Sequence, residues 1–226
     1  MRKSRDVAAA VIFDLDGTLV DTAPDLTRSL NKVLADIGRP AVAEDTVRHL
    51  IGLGARKLIE RGLDVTGGAA GGLGLDDLLD RFLRHYQAHI ADYSQPFPGA
   101  VNMLNDLRRQ EMGLAICTNK SETLARRLLK ALDLLDYFPT VIGGDSLTRK
   151  KPNPAPLLAA IAGLGATPGR AVMVGDSETD VRTARAARVP VVAVSFGYTR
   201  TAPAALGADA VIDRLEALPQ ALARLA

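Results

Sequence analysis

The chain has almost no cysteine, no long apolar run and no surplus of either charge. Cys117 is the one cysteine among 226 residues. An intrachain disulfide is therefore impossible, which fits a reducing compartment. Cys117 ends an apolar run, where a thiol serves as a small buried packing group. No segment approaches the roughly 20 apolar residues that span a bilayer, so no membrane partner is expected. At the N-terminus, Arg2, Lys3 and Arg5 precede the apolar stretch Val7 to Phe13, an arrangement similar to a weak signal peptide. Asp14 and Asp16 cut that stretch short and no cleavage region follows. A buried strand is the better reading, and a cytoplasmic protein is expected. Basic and acidic side chains number 28 and 26, a net charge of +2 with the signs interspersed. Without a basic tail or stripe, nucleic acid is not an expected partner.

What the chain does have is a set of short, non-alternating apolar runs: Ala8–Phe13, Leu114–Cys117, Thr140–Ile142, Ala171–Val174, Val191–Val194 and Ala210–Ile212. Runs without alternation predict parallel strands covered on both faces. Helical stretches separate the later ones, which predicts an α/β, doubly wound parallel sheet of the Rossmann-like kind. The interval from Thr22 to about Tyr93 is different. Thr22-Ala-Pro-Asp25 reads as an N-cap, an early proline and an acidic third position. Leu26, Leu30, Val33, Leu34 and Ile37 then recur at helical spacing, and Gly38 with Pro40 ends the segment. Glu44–Leu50, Ala55–Leu63 and the series from Leu78 to Ile90 read as three further helices, with a flexible loop at Gly67–Gly74. So long an insert exceeds any ordinary connection. It predicts an all-helical cap domain, residues 21–93, inserted into an α/β core of residues 1–20 and 94–226, with joins near Val20–Asp21 and Tyr93–Pro98.

In an open α/β sheet, ligands bind beyond the carboxyl ends of the strands. The first run is followed by Asp14-Leu-Asp16-Gly-Thr18, the second by Thr118-Asn119-Lys120, and the fourth by Gly175-Asp176-Ser177 and then Asp180. Lys151 lies between the third and fourth. Carboxylates, a hydroxyl and a lysine on one sheet edge are what metal-assisted phosphoryl transfer requires. Residues two apart on a strand point the same way, so Asp14 and Asp16 can face one pocket. One can attack phosphorus while the other handles protons. Asp176 adds a third negative charge, and a hard cation bound by oxygens relieves the repulsion; Mg²⁺ suits this. Thr118 and backbone amides at a helix start can hold phosphoryl oxygens, and Lys151 can neutralise charge on the phosphate and on Asp14.

Blander readings stand beside these. Carboxylates at strand ends often cap turns. Ser177-x-x-Asp180 is also a capping box, a role compatible with a place in the site. Lys150 reads as a solvated charge. His85 and His89 lie four apart on an expected helix, but with no third ligand apparent they read as a solvated face.

The ordered motifs around Asp14 and Asp16, Thr118-Asn119-Lys120, Lys151-Pro152 and Gly-Asp176-Ser-Glu-Thr-Asp180 resemble those of the haloacid dehalogenase superfamily, over nearly the whole chain. Within it, Gly143–Leu157, Phe196-Gly-Tyr198 and Ile51-Gly-Leu-Gly-Ala55 followed by Glu60-Arg61 resemble phosphoglycolate phosphatases. The resemblance implies that Asp14 is nucleophile and Mg²⁺ ligand. It implies that Asp16 is the acid/base, with a backbone carbonyl on the metal. Thr118, the Asn119 amide and Lys151 then hold phosphate, Asp176 is the remaining metal ligand, and Asp180 orients the metal or Lys151 from behind. The implied partner is a small phosphate ester, foremost 2-phosphoglycolate. A loop carrying Gly52 and Gly54 can approach a ligand closely, and Arg56 or Arg61 can bind its carboxylate bidentately. The alternative is a phosphatase or mutase of a small sugar phosphate. Dehalogenation and phosphonate cleavage are disfavoured by Asp16, which members with those chemistries lack.

Overall fold

The computed structural model of the chain describes residues 9–68 and 74–225. The N-terminal basic residues, the start of the first expected strand and residues 69–73 of the expected Gly67–Gly74 loop lie outside the described residues. The strands are β1 (Ala10–Phe13), β2 (Val20–Asp21), β3 (Gln95–Pro96), β4 (Gly113–Cys117), β5 (Thr140–Ile142), β6 (Ala171–Gly175), β7 (Val191–Val194) and β8 (Ala210–Ile212). The helices are α1 (Ala23–Asp36), α2 (Glu44–Arg48), α3 (Ala55–Val65), α4 (Leu75–Ala88), α5 (Ala100–Arg109), α6 (Glu122–Ala131), α7 (Ala155–Gly163), α8 (Glu178–Ala187) and α9 (Leu218–Leu225).

Six strands form one sheet in the order β5-β4-β1-β6-β7-β8, and every neighbouring pair is parallel. Alternate residues of β1, β4, β6 and β7 enter different packing clusters. Val11, Phe13, Ile116 and Val174 pack with Leu104 of α5, Leu128 of α6 and Leu222 of α9. Ala10, Ile12, Ala115 and Met173 pack with Ile161 of α7 and Ala184 of α8. Both faces are therefore dry, which is why the strands read as unbroken apolar runs. Cys117 is buried in the second cluster, and burial pushes its thiol up to about 12, as befits a packing group.

The four helices α1–α4 lie between β2 and β3, which pair antiparallel and so bring both ends of the helical segment side by side. A two-residue ribbon leaves no alternation to read, and the sequence did not show it. The entry to α1 also differs from its expected form. Thr22 occupies the N-cap position but makes no capping bond with its side chain. Its hydroxyl donates instead to Asp16, at 2.7 Å. Asp25, expected to support the same helix start, accepts from the backbone N–H groups of Tyr93 and Ser94 at 3.1 and 2.8 Å. Both residues tie the helical segment to its surroundings rather than closing their own helix.

Candidate active site

Asp14, Thr118 and Asp176 directly follow β1, β4 and β6, the three central strands. The Asp14 N–H still donates to the Val174 carbonyl at 2.9 Å, and the Thr118 N–H to that of Ile142 at 3.0 Å. The sheet ladder thus runs one residue past the named strands and fixes both side chains at its edge.

A buried network of charges occupies this edge. Lys151, 2% exposed, places its Nζ 2.9 Å from Asp14 Oδ1 and 2.6 Å from Asp180 Oδ1. The first of these is an ion pair without hydrogen-bond alignment, so Asp14 Oδ1 is a buried acceptor with no aligned donor. Asp180 is fully buried, and its second oxygen accepts from the Ser177 hydroxyl at 2.6 Å while the Asp180 N–H donates back to that hydroxyl. The capping box and the contact with Lys151 therefore coexist on one side chain. Asp176 accepts from the Tyr198 N–H at 2.7 Å and from the Thr18 hydroxyl at 3.2 Å.

Among the described residues, Asp14, Asp176 and Asp180 are the one group of three potential ligands whose oxygens lie within 4.8 Å of one another. Both oxygens of Asp180 already accept hydrogen bonds, as do both of Asp176, and Asp14 Oδ1 is the buried oxygen of the three residues without an aligned donor. Burial, only partly offset by Lys151, raises Asp14 to about 6. Burial, with the charges of Asp180 and Asp14, raises Asp176 to about 8. Carboxylates that resist ionisation on their own, one with an orphaned oxygen, fit a hard divalent cation. For Lys151, burial works against the charge, but Asp14 and Asp180 outweigh it and hold the ammonium protonated.

The Asp16 carboxylate points elsewhere. It accepts from Lys120 Nζ at 2.9 and 3.1 Å and from the Thr22 hydroxyl at 2.7 Å. Its side chain therefore does not join the cluster of Asp14, Asp176 and Asp180. Lys120 was not singled out from the sequence as a site residue. Its ammonium also lies 4.8 Å from the ring centroid of Tyr86 on α4. The Lys120 ammonium thus touches Asp16 in the core and a ring of the helical segment.

Above the strand ends, the Ile51–Arg56 stretch roofs a cavity of about 440 Å³ that also borders Asp14, Asp16, Thr118 and Lys120. Gly52 and Gly54 have φ of +107° and +90°, values that favour glycine. A Cβ on Gly54 would also lie 3.2 Å from the Asn119 carbonyl. Asn119 Nδ2 donates to the Gly52 carbonyl at 3.0 Å and to the Lys151 carbonyl at 3.2 Å, binding roof to floor. Lys150, expected to be solvated, also donates to the roof, at the Leu53 carbonyl, 3.2 Å away. Arg56 borders the cavity and pairs with exposed Asp76. Arg61 does not border it; its guanidinium donates to the Leu50 carbonyl at 3.0 Å and supports the loop from behind.

The arrangement brings together Asp14, Asp176, Asp180, Lys151, Thr118 and Asn119, and sets Asp16 beside them with its carboxylate turned away. His85 lies on α4 and His89 just past its end; neither borders the cavity, His85 Nδ1 being 3.0 Å from the Ser29 hydroxyl and His89 pairing with Asp92.

Comparison with known proteins agrees with this geometry. The family profile described as haloacid dehalogenase-like hydrolase matches residues 11–194. The chain belongs to that family. A phosphoglycolate phosphatase from Caulobacter vibrioides is 46% identical over 213 residues, covering 94% of this chain and 90% of its own length. One from Rhodospirillum rubrum is 45% identical over 218 residues, covering 92% and 88%. The crystal structure of a predicted phosphoglycolate phosphatase from Haemophilus somnus 129pt superposes with a TM-score of 0.91 at 29% identity, covering 97% of this chain and 99% of that one. As a member of the haloacid dehalogenase-like hydrolases with such relatives, the chain is a phosphoric monoester hydrolase similar to phosphoglycolate phosphatase. No helix among the described residues is long and apolar enough to cross a membrane.

Proposed function

We propose that the chain hydrolyses 2-phosphoglycolate to glycolate and inorganic phosphate, in a Mg²⁺-dependent reaction that passes through an aspartyl phosphate on Asp14. The observation that carries this reading is Asp14 itself. It is a buried carboxylate with an unaligned oxygen, 2.9 Å from Lys151, at the floor of a roofed cavity. The substrate is supported by the names of the relatives from Caulobacter vibrioides and Rhodospirillum rubrum.

In this reading Asp14 attacks phosphorus and the glycolate oxygen leaves. Asp16 gives that oxygen a proton, then takes one from the water that cleaves the Asp14–phosphoryl bond. Asp16 is held by Lys120 and Thr22, so this role requires its carboxylate to exchange those contacts for the leaving group. Thr118, the Asn119 amide and Lys151 hold the phosphoryl oxygens. Asp14, Asp176 and the Asp16 carbonyl would hold Mg²⁺, which when bound would neutralise negative charge on the carboxylates and the phosphoryl group. Residues 21–93 act as a cap that closes over the floor and excludes water. Arg56, freed from exposed Asp76, is the arginine placed to meet the substrate carboxylate.

The test is kcat/KM for 2-phosphoglycolate against ethyl phosphate, with Mg²⁺ present. A preference of about tenfold or more for phosphoglycolate is expected, in the range one bound polar group gives. Phosphate should be released steadily without a bisphosphate activator. Equal values for the two esters would leave only a general small-phosphoester hydrolase, and isomerised sugar phosphate formed faster than free phosphate would point to a mutase.

A further inference from the structure

Beyond β7 the chain passes through Phe196-Gly197-Tyr198, a loop that the proposed chemistry does not use. Tyr198 is 5% exposed, and its two polar ends reach different places. Its N–H donates to Asp176 Oδ2 at 2.7 Å. Its phenol oxygen accepts from the backbone N–H groups of Thr22 at 2.7 Å and Ala23 at 3.0 Å, and donates to Asp21 at 2.6 Å. The first N–H groups of a helix have no acceptor within it. At α1 the phenol takes the place left by the Thr22 hydroxyl, which is turned to Asp16.

The surrounding contacts tighten this junction. Arg48 of α2 donates to both oxygens of Asp21, at 3.1 and 2.9 Å, and its guanidinium lies 5.3 Å from the Tyr198 ring centroid. His49 Nδ1 lies 2.8 Å from the Tyr198 carbonyl oxygen. Phe196 packs on Phe97, just past β3, with ring centroids 4.7 Å apart. The loop therefore touches both ends of the helical segment as well as Asp176. Two glycines make room for it. A Cβ on Gly197 would lie 2.1 Å from that of Asp176, and one on Gly17 would lie 2.8 Å from the Tyr198 ring.

We propose that Tyr198 is a positioning residue that couples the cap hinge at Asp21–Ala23 to the Asp176 carboxylate, so that cation binding at Asp176 also settles the hinge. The proposal rests on reading Asp176 as a cation ligand. Its physical content is a continuous chain of contacts: Asp176 to the Tyr198 amide, through one rigid aromatic residue, to the N–H groups that begin α1 and to Asp21. A buried phenol with three partners has no slack. A shift of the loop toward a filled cation site changes those bonds, and a shift of the hinge changes the reach of the amide.

The experiment follows hydrogen exchange at the Thr22 and Ala23 amides, with and without saturating Mg²⁺ and without substrate, in the wild type and in Tyr198→Phe. The variant keeps the ring and the amide to Asp176 and loses only the hydroxyl. Cation binding is followed independently by the Mg²⁺-induced rise in Tm. In the wild type, Mg²⁺ should slow exchange at these amides by about tenfold, a middling coupling. In Tyr198→Phe the amides should exchange faster and stop responding to Mg²⁺, while the apparent Mg²⁺ affinity, taken from the dependence of Tm on Mg²⁺ concentration, stays within about threefold. A wild type whose Tm rises with Mg²⁺ while exchange at Thr22 and Ala23 is unchanged would overturn the coupling, and this comparison needs no variant. So would a Tyr198→Phe protein with the full Mg²⁺ response. If Mg²⁺ does not shift the wild-type Tm at all, the cation reading falls and the coupling with it.

Discussion

At and beneath the floor of the cavity, which Asp14 borders, Asp14, Lys151, Asp176 and Asp180 are all less than one-tenth exposed, and Lys151 and Asp180 are held through charged contacts. The roof, from Ile51 to Arg56, meets the core through backbone carbonyls instead: Gly52 to Asn119 and Leu53 to Lys150, with Leu50 held by Arg61 within the cap. The difference has a physical reason. Charges that act on a phosphoryl group need fixed positions in a water-poor site, where their interactions are strong and each loss is costly. A roof that must admit substrate and release product is better held by a few hydrogen bonds, each contributing about 0.5–1.5 kcal/mol. In the proposed reading, the floor defines the reaction and the roof chooses the ester.

The hardest blow to this division comes from Asp14→Asn. The variant should lose turnover by more than about 100-fold, the scale expected for a nucleophile, on every ester alike. Its Tm should stay within a few degrees or rise, because a neutral isostere removes the cost of burying a carboxylate that burial pushes up to about 6. Residual activity above about a hundredth of wild type, measured by phosphate release, would remove Asp14 from the role.

A smaller effect concerns pH. In the cation-free protein Asp14 and Asp176 stand at about 6 and about 8, against about 3.9 in an unfolded chain. Raised folded values mean that the native state binds these protons more tightly. Cation-free stability should therefore fall as pH rises through about 4 to about 8, and the stabilisation by Mg²⁺ should grow over the same window. Thermal melts with and without Mg²⁺ check this. A Mg²⁺ effect as large at about pH 5 as at about pH 8 would contradict it.

The smallest effect should come from the roof. Arg56 is 49% exposed at its side chain and pairs with a largely exposed Asp76, a contact worth under about 1 kcal/mol. Arg56→Ala should leave Tm unchanged. It should lower kcat/KM for 2-phosphoglycolate by up to about tenfold and leave ethyl phosphate untouched. An equal fall on both esters would show that Arg56 serves the floor rather than the choice of substrate.

The sequence made the floor legible because parallel strands buried on both faces appear as unbroken apolar runs, and the residues following them are bound to meet at one edge. Asp14, Thr118 and Asp176 could be placed together on that ground alone. What it could not show were partners separated by long stretches of chain. Lys120 reaches Asp16 across 104 positions and the Tyr198 phenol reaches Thr22 across 176, distances at which no local pattern survives. Local rules placed Thr22 and Asp25 correctly at the start of α1 but not their partners, since tertiary contacts draw the side chains to Asp16 and to Tyr93–Ser94. Arg61 followed the glycine loop in sequence, yet its length carries it to the Leu50 carbonyl and away from the cavity.

The most direct test of the account is to look for the phosphoryl group on the protein. Enzyme mixed with Mg²⁺ and 2-phosphoglycolate is quenched in cold acid within the first turnover, digested, and read by mass spectrometry before and after hydroxylamine. A phosphorylated peptide carrying Asp14, formed only with Mg²⁺ and lost on hydroxylamine treatment as an acyl phosphate must be, is the predicted result. Phosphate released at the full rate with Asp14 never modified, or with the label on another residue, would contradict it.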